Sequence, residues 1–343
     1  MAGIAARLGI TGLKQKEKMN TPPDEHINVD HQKLHAFVST AAQTVGLPAE
    51  KAELLAELLT KNDLRGVFSH GTQQIATYAI LMRDGQLNKD PQIEVVKETP
   101  VSALVDGDGG LGYFPAYQGT LLALDKAEAT GIAAIMSRNH GHFGAAGIYA
   151  RLAVERGLAV YVTSGHQLRL QPGDELNNAA GGSPMAFGVP TNEEPPLVLD
   201  FGAMHDLYRD EIRDQIAECA PGLLLRSIGM GEICQAWGGL LSGLSIDHEK
   251  PRWTWPGANQ GSLVIVFRPD LFTDGEQFKA EVDEYIRRVR KLQPVKGFAA
   301  THVPGGIEAE REGRFREAGV PVGGWHREQL EGVAKELGIE VPW

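Results

Sequence analysis

Two histidines stand in glycine-flanked segments where an imidazole can do chemistry. His70 lies in Asp63-Leu64-Arg65-Gly66-Val67-Phe68-Ser69-His70-Gly71, between a hydroxyl and a glycine at the apparent end of a loop. Imidazole titrates near neutrality, so it can give a proton to a carbonyl oxygen as hydride reaches the carbon and take it back in reverse. The competing reading is a structural histidine that caps the next helix. The second segment, Asn139-His140-Gly141-His142-Phe143-Gly144-Ala145-Ala146-Gly147, follows a strand-like run and opens a helix, where backbone N–H groups and the helix dipole can hold an anion such as phosphate. Its glycines fall at 141, 144 and 147, which is not the G-x-G-x-x-G fingerprint of a Rossmann fold. His140 and His142 could also converge on a metal, with His166 or His70 as a further ligand, although no third ligand stands at a telling spacing.

Small residues recur at Ala180-Gly181-Gly182-Ser183-Pro184, and Asp200-Phe201-Gly202-Ala203 closes the next strand-like run. Glycine lets a ligand approach the backbone, and an acid at a strand's carboxyl end often faces one. A turn followed by a helix cap accounts for both features equally well.

These segments need elements to hold them, and the chain alternates accordingly. Asp30 caps an expected helix to about Thr44, Pro48 opens another over 49–59, and a third is expected over 71–82. Strands are expected at 93–96, 101–105, 132–136, 158–163, 197–199, 263–267 and 298–302. Helices are expected over 116–129, ended by Gly131, and over 145–155, 211–217, 231–241, 277–292, 307–318 and 327–337. The pattern is mixed α/β, a central sheet with flanking helices. Residues 1–29, with Arg7, Lys14, Lys16 and Lys18, are expected to form a flexible extension. Residues 30–110 are expected to be a helical N-terminal part, 111–260 a cofactor-binding part shortened at 203–228, and 261–343 an α/β segment packing back on the N-terminal part.

Bulk properties narrow the classes. The 343 residues carry a formal net charge of -11 with 42% hydrophobic residues. That balance disfavours a nucleic-acid surface, which needs dominant Lys and Arg, and no apolar run approaches the ~18 residues of a membrane helix. Cys219 and Cys234 show neither disulfide-framework nor zinc spacing. A cytoplasmic protein with a small-molecule substrate is expected.

Taken together, Asp63-x-Arg65-Gly66-x-x-Ser69-His70-Gly71, His142-Phe143-Gly144-Ala145-Ala146-Gly147 and Gly182-Ser183-Pro184 resemble the malate/L-lactate dehydrogenase family, which includes ureidoglycolate dehydrogenase and diketogulonate reductase. The likeness runs from about Asp30 to Leu199, weakens over 202–243 and resumes over 261–339, where Pro304-Gly305-Gly306 is similar to the family's Pro-Gly-Glu. The resemblance implies a non-Rossmann α/β fold, a homodimer and hydride transfer between NAD or NADP and a 2-hydroxy/2-oxo acid or imino analogue. It implies that His70 and His142 are the acid/base groups, with Ser69 and Gln74 toward the substrate. It also implies that His166, Gly182, Ser183, Asp200, Phe201, Gly202 and Arg226 lie toward the cofactor, Arg226 standing where the family usually has lysine.

The departures bear on function. Gln74 occupies the family's arginine position; it can hydrogen-bond a carboxylate but cannot form a charged fork. Asn139-His140-Gly141-His142 replaces Asn-Ser-x-His, Gly181-Gly182-Ser183-Pro184 replaces Gly-Thr-Asn-Pro, and Asp200-Phe201-Gly202-Ala203-Met204 replaces Asp-Met-Ala-Thr-Ser. The stretch between Asp200 and Gly229 is shorter than the family's, which carries an aspartate-glycine loop near the substrate. Two other readings therefore stand beside a dehydrogenase: a catalytically lapsed homologue kept as a binding or interaction scaffold, and a metal-dependent enzyme using His140 and His142.

Overall fold

The computed structural model describes residues 20–246 and 253–343, so most of the expected N-terminal extension lies outside the described residues. Three helices open the fold: α1 (His31–Thr44), α2 (Ala49–Leu64) and α3 (Ile75–Arg83). The Asp30 carboxylate accepts from Gln32 N at 2.6 Å, as its position before the apolar stripe predicts. Leu34, Phe37, Val38 and Ala41 are buried on one face of α1, and each large apolar side chain so buried contributes about 1.5–3 kcal/mol. Helix α2 runs five residues beyond its expected end. The third helix starts four residues late, because Phe68–His70 and Thr72–Gln74 form separate tight turns around an extended Gly71.

The centre is a seven-stranded mixed sheet in the order β2-β3-β4-β8-β5-β6-β7. Its strands are β2 (Glu94–Thr99), β3 (Ser102–Asp106), β4 (Ile132–His140), β5 (Ala159–His166), β6 (Pro184–Val189), β7 (Leu197–Gly202) and β8 (Gln260–Phe267). Helix α4 (Tyr113–Thr130) crosses from β3 to the parallel β4, and Gly131, at φ 92°, ends it in the left-handed region. Helix α5 (Gly147–Glu155) leads from β4 to β5, and β8 inserts antiparallel between those two strands. The boundary expected at 260/261 therefore falls inside the sheet's central strand.

Register brings the strand ends that matter to one edge. Gln260 of β8 pairs with both His140 and His166, the last residues of β4 and β5. Pro184, at the start of β6, pairs with Gly202, at the end of β7. The expected site residues at 140–147, 166, 182–183 and 200–202 thus emerge at the same end of the sheet, where open α/β sheets commonly bind ligands. Among the described residues a single parallel neighbour pair, β3 with β4, separates this topology from a doubly wound Rossmann sheet.

Helices α6 (Asp210–Cys219) and α7 (Pro221–Cys234) follow β7, and a π-helical turn, Gln235–Gly239, extends α7. Helix α8 (Gly275–Val289) is capped by Asp274. Helices α9 (Gly306–Ala318) and α10 (Gly324–Leu337) pack against α2 and against α1 and α3. A two-stranded ladder of β1 (Ile27–Val29) and β9 (Val320–Val322) joins the two ends of the described chain. The strand expected over 298–302 is absent. Gly297 takes φ 96°, Phe298 N–H closes a turn onto the Val295 carbonyl, and the Phe298 side chain is exposed, leaving this segment no ladder to join. No helix among the described residues is long and apolar enough to cross a membrane.

Candidate active site

The turn that carries His70 is anchored from beneath. Asn62, in the last turn of α2, donates its side-chain amide to the His70 carbonyl at 2.9 Å. The neighbouring Asp63 is fully buried, and its Oδ2 accepts from the Thr72 N–H at 3.0 Å and from the Thr72 hydroxyl. That hydroxyl in turn lies 2.9 Å from His326 Nε2. A Cβ on Gly71 would come within 1.7 Å of Asp63 Oδ1, so only glycine lets the backbone lie against this carboxyl. Burial raises the Asp63 pKa to about 7.

With its backbone held, His70 directs Nδ1 to the Ser69 hydroxyl at 2.9 Å. It is not a helix cap. Burial first, and then the nearby charge of His205, lower its pKa to about 4. The Gln74 amide donates back to the Ser69 carbonyl at 2.6 Å, so its donor end is engaged within the turn.

His142 faces His70 with ring centres 5.3 Å apart and planes inclined by 31°. Its Nδ1 lies 2.6 Å from the hydroxyl of Tyr78 on α3, and Tyr78 lies 3.3 Å from the hydroxyl of Tyr113 at the start of α4. Burial, with the charges of His70, His140 and His166 adding to it, lowers the His142 pKa to about 3. Tyr149 donates to the Phe143 carbonyl at 2.5 Å and fixes the loop on its other side. Both catalytic candidates are therefore neutral imidazoles at neutral pH.

His140 does not join them. It is 0% exposed, with Nδ1 2.7 Å from the Gly141 carbonyl and Nε2 3.0 Å from the Ser137 hydroxyl. Both ring nitrogens are committed, which removes the basis for a His140/His142 metal pair. Among the described residues no group of three or more His, Cys, Asp or Glu side chains could hold a metal.

The anion expected at the start of α5 is supplied by the chain itself. Asp200 Oδ2 accepts from Gly147 N at 2.9 Å, so the acid at the end of β7 caps the helix that the 139–147 loop opens. Burial raises its pKa to about 6, against the Gly147 hydrogen bond and the charge of Arg151. The alternative of a helix cap thus describes the Asp200 oxygen seen here.

The remaining residues expected at the cofactor divide. Gln235 accepts from His166 N at 3.0 Å, and its amide nitrogen lies 3.5 Å from both His166 Nδ1 and the Ala180 carbonyl. A Cβ on Gly181 would meet that nitrogen at 1.9 Å and His166 Cε1 at 2.9 Å, whereas one on Gly182 would find no atom closer than 3.8 Å. His166, Gly182 and Gly202 thus gather around one open turn. Ser183 turns its hydroxyl inward to the Ala180 carbonyl at 2.6 Å, and Phe201 pairs with Met185 in the sheet. Arg226 is exposed on α7. Helix α7 packs on the Ala180–Ser183 turn through Gly231, and five residues turn a helix by about 500°, leaving Arg226 about 140° round from that contact.

Sequence reading missed Tyr78, Gln235 and His205. Tyr78 passes for a core aromatic on an amphipathic helix, and Gln235 is a buried amide whose only local signal is the Gly238-Gly239 pair that lets its turn reach β5. A Cβ on Gly238 would come 2.3 Å from the Ser164 backbone. His205 follows the end of β7, with its N–H on the Gly202 carbonyl at 3.0 Å.

The site is thus a pair of facing imidazoles and a glycine-lined turn at one end of a mixed α/β sheet of non-Rossmann topology. The chain belongs to the malate/L-lactate dehydrogenase family, whose sequence model matches residues 29–213 and 222–331. It is 28% identical to a malate dehydrogenase of Pyrococcus horikoshii over 92% of this chain and 97% of that one. It is 27% identical to an L-sulfolactate dehydrogenase of Methanocaldococcus jannaschii over 86% of this chain and 93% of that one. The solved structure of malate dehydrogenase from Pyrococcus horikoshii superposes with a TM-score of 0.81 at 27% identity, covering 94% of this chain and 98% of that one. This membership supports an enzymatic, oxidoreductase role.

Proposed function

We propose that the protein is an NAD(P)-dependent oxidoreductase that moves hydride between a nicotinamide cofactor and a small 2-hydroxy or 2-oxo acid, and that it acts as a homodimer. The observation that carries this reading is the facing pair His70 and His142, 5.3 Å apart. Each has one ring nitrogen held, His70 by Ser69 and His142 by Tyr78, and each has an Nε2 with no hydrogen-bond partner among the described residues. Two such nitrogens suit the oxygen of a carbonyl or alcohol. The substrate class draws support from the relatives, since malate and sulfolactate are both 2-hydroxy acids.

The open Gly182 backbone, flanked by His166 and Gly202, suits a nicotinamide dinucleotide approaching the carboxyl edge of the sheet. When bound, that group would donate or accept the hydride. The chain's own residues orient the substrate oxygen, exchange its proton at imidazole and narrow the access of water. A partner subunit is favoured by the exposed apolar side chains Leu223, Leu225, Ile233, Trp237, Leu240 and Leu241 along α7 and its extension.

Fluorescence titration with NADH and NADPH, followed by turnover of 2-oxo acids, tests the proposal. Saturable binding of one cofactor is expected, with His70→Ala lowering kcat by about 10²–10⁴-fold at unchanged cofactor affinity. A folded dimer that binds neither cofactor would sink the reading. A second reading, a lapsed homologue, is favoured by one observation: the Gln74 amide is turned back onto Ser69 where the family has arginine. Cofactor binding without turnover of any 2-oxo acid would select it.

A further inference from the structure

We propose that Tyr78, backed by Tyr113, is a positioning residue that fixes His142 as a neutral imidazole with its proton on Nε2, so that His142 donates a hydrogen bond while the exchanged proton passes through His70. The inference deepens the dehydrogenase reading and rests on it for its catalytic consequence, but its structural half stands alone.

Tyr113 and Tyr78 are 0% and 1% exposed. Among the described residues the Tyr113 hydroxyl has a single hydrogen-bond partner, the Tyr78 hydroxyl at 3.3 Å. A buried phenol needs an acceptor for its proton, so Tyr113 donates to Tyr78. The Tyr78 proton must then point the other way, to His142 Nδ1 at 2.6 Å. A nitrogen that accepts a hydrogen bond carries no proton, so the ring proton resides on Nε2. Burial raises the pKa of both phenols, which keeps them neutral donors. Reversing the chain would turn two phenol protons around and leave that of Tyr113 without an acceptor.

The loop enforces the same geometry. A Cβ on Gly144, which takes φ 84°, would come within 2.5 Å of the Tyr113 hydroxyl, so the segment after His142 is fitted against the phenol pair. His70 is held differently. Its Nδ1 faces the Ser69 hydroxyl, which rotates to donate or accept and so tolerates either form of the ring. Protonating His142 requires a proton where Tyr78 already donates, whereas protonating His70 requires only that a hydroxyl turn.

In the reducing direction a bound reduced nicotinamide would supply hydride to the substrate carbonyl carbon, with the C=O π pair passing to oxygen. His142 Nε2–H steadies the developing charge on that oxygen, and His70, neutral at rest, relays to it a proton taken up from solvent and is neutral again afterwards. Oxidation reverses each transfer, with His70 taking the hydroxyl proton.

The test is nitrogen NMR of the intact chain labelled in histidine, the His142 signals being assigned by their loss in His142→Gln. The expected spectrum shows a protonated Nε2 and an unprotonated Nδ1 at His142, unchanged from pH 6 to 8. Tyr78→Phe is expected to mix the two tautomers and to lower kcat by about 10–100-fold with NADH affinity within twofold, and Tyr113→Phe to do the same more weakly. A proton on Nδ1 in the wild type, titration of His142 within that pH range, or a Tyr78→Phe spectrum identical to wild type would overturn the proposal. The wild-type spectrum decides the tautomer even if Tyr78→Phe does not fold. Failure to bind NADH would strike the dehydrogenase reading and leave the tautomer result standing.

Discussion

The two sides of the site are built differently. On the histidine side, Asp63, Tyr78 and Tyr113 are at most 1% exposed and hold the backbone or ring of the groups above them. On the other side, α6 buries no residue and α7 buries only Ile228, Gly231 and Cys234. The histidines proposed to handle the proton are therefore set by the core, whereas Arg226 lies on a lightly packed helix and the His166 backbone takes its position from Gln235. Damage to the first side should appear in chemistry and stability together, and damage to the second in affinity.

Acid gives the largest expected contrast. His70, His140 and His326 have pKa values lowered to about 4 and His142 to about 3, from 6.5. As pH falls from about 6.5 to about 4, the unfolded chain takes up protons that the folded chain refuses, so stability is lost across that window. Asp63, raised to about 7, and Asp200, raised to about 6, act in the opposite sense, because the folded chain protonates them first. Four groups outweigh two. Hydrogen exchange at pH 7 and pH 5 should show residues 62–78 and 140–149 losing protection on acidification, while 210–234 exchange readily at both. Equal acid sensitivity of the two regions would break the comparison.

Gly71→Ala is the next largest. The new Cβ would fall 1.7 Å from Asp63 Oδ1, so either the turn or the carboxyl must shift. A loss of about 2–4 kcal/mol is expected, read as a fall in the thermal midpoint, with kcat reduced because His70 is the adjacent residue. An unchanged midpoint would mean that Asp63 does not brace the turn.

The same asymmetry explains what the sequence conveyed. Periodicity and caps identify α1, α4, α9 and the core strands because those signals are local: Asp30 before an apolar stripe, Gly131 after one, apolar runs at 132–136 and 263–267. Strand β6 was not legible, because Met185-Ala186-Phe187-Gly188 follows a Gly-Gly-Ser-Pro turn and its alternation is broken by glycine. Phe298-Ala299-Ala300 read as a strand for its apolar run, yet strand formation needs a neighbour and none is within register. The two histidines were legible by type and flanking glycine. Their partners were not: Tyr78 is eight residues from His70 and 64 from His142, and only the packing of α3 against the 140–147 loop brings its hydroxyl to Nδ1. The Asp200 contact is hidden for the same reason, since the helix it caps begins 53 residues earlier.

Gln235→Ala probes the looser side. It removes the acceptor for His166 N–H and the link to the Ala180 carbonyl, a loss of about 1–2 kcal/mol. The expected readout is a roughly tenfold weaker NADH affinity with kcat nearly unchanged. A collapse of kcat at constant affinity would show that the His166 turn takes part in the chemistry.

The smallest effect is expected at Arg226, and it sharpens the comparison most. Family resemblance puts a cation here, yet the side chain is exposed on a face of α7 turned away from the Ala180–Ser183 turn. Surface substitutions without such contacts usually change stability by no more than about 0.5 kcal/mol. Arg226→Ala should therefore leave the thermal midpoint in place and change NADH affinity by less than about threefold, whereas Arg226→Glu should weaken NADPH more than NADH if the guanidinium comes near a ribose phosphate. Equal, small effects on both cofactors would confine recognition to the 166–202 turn. A loss of NADPH binding above about tenfold, with NADH spared, would mean that α7 rotates or that the dimer presents it to the cofactor, making the lightly packed side the part of the site completed only on assembly.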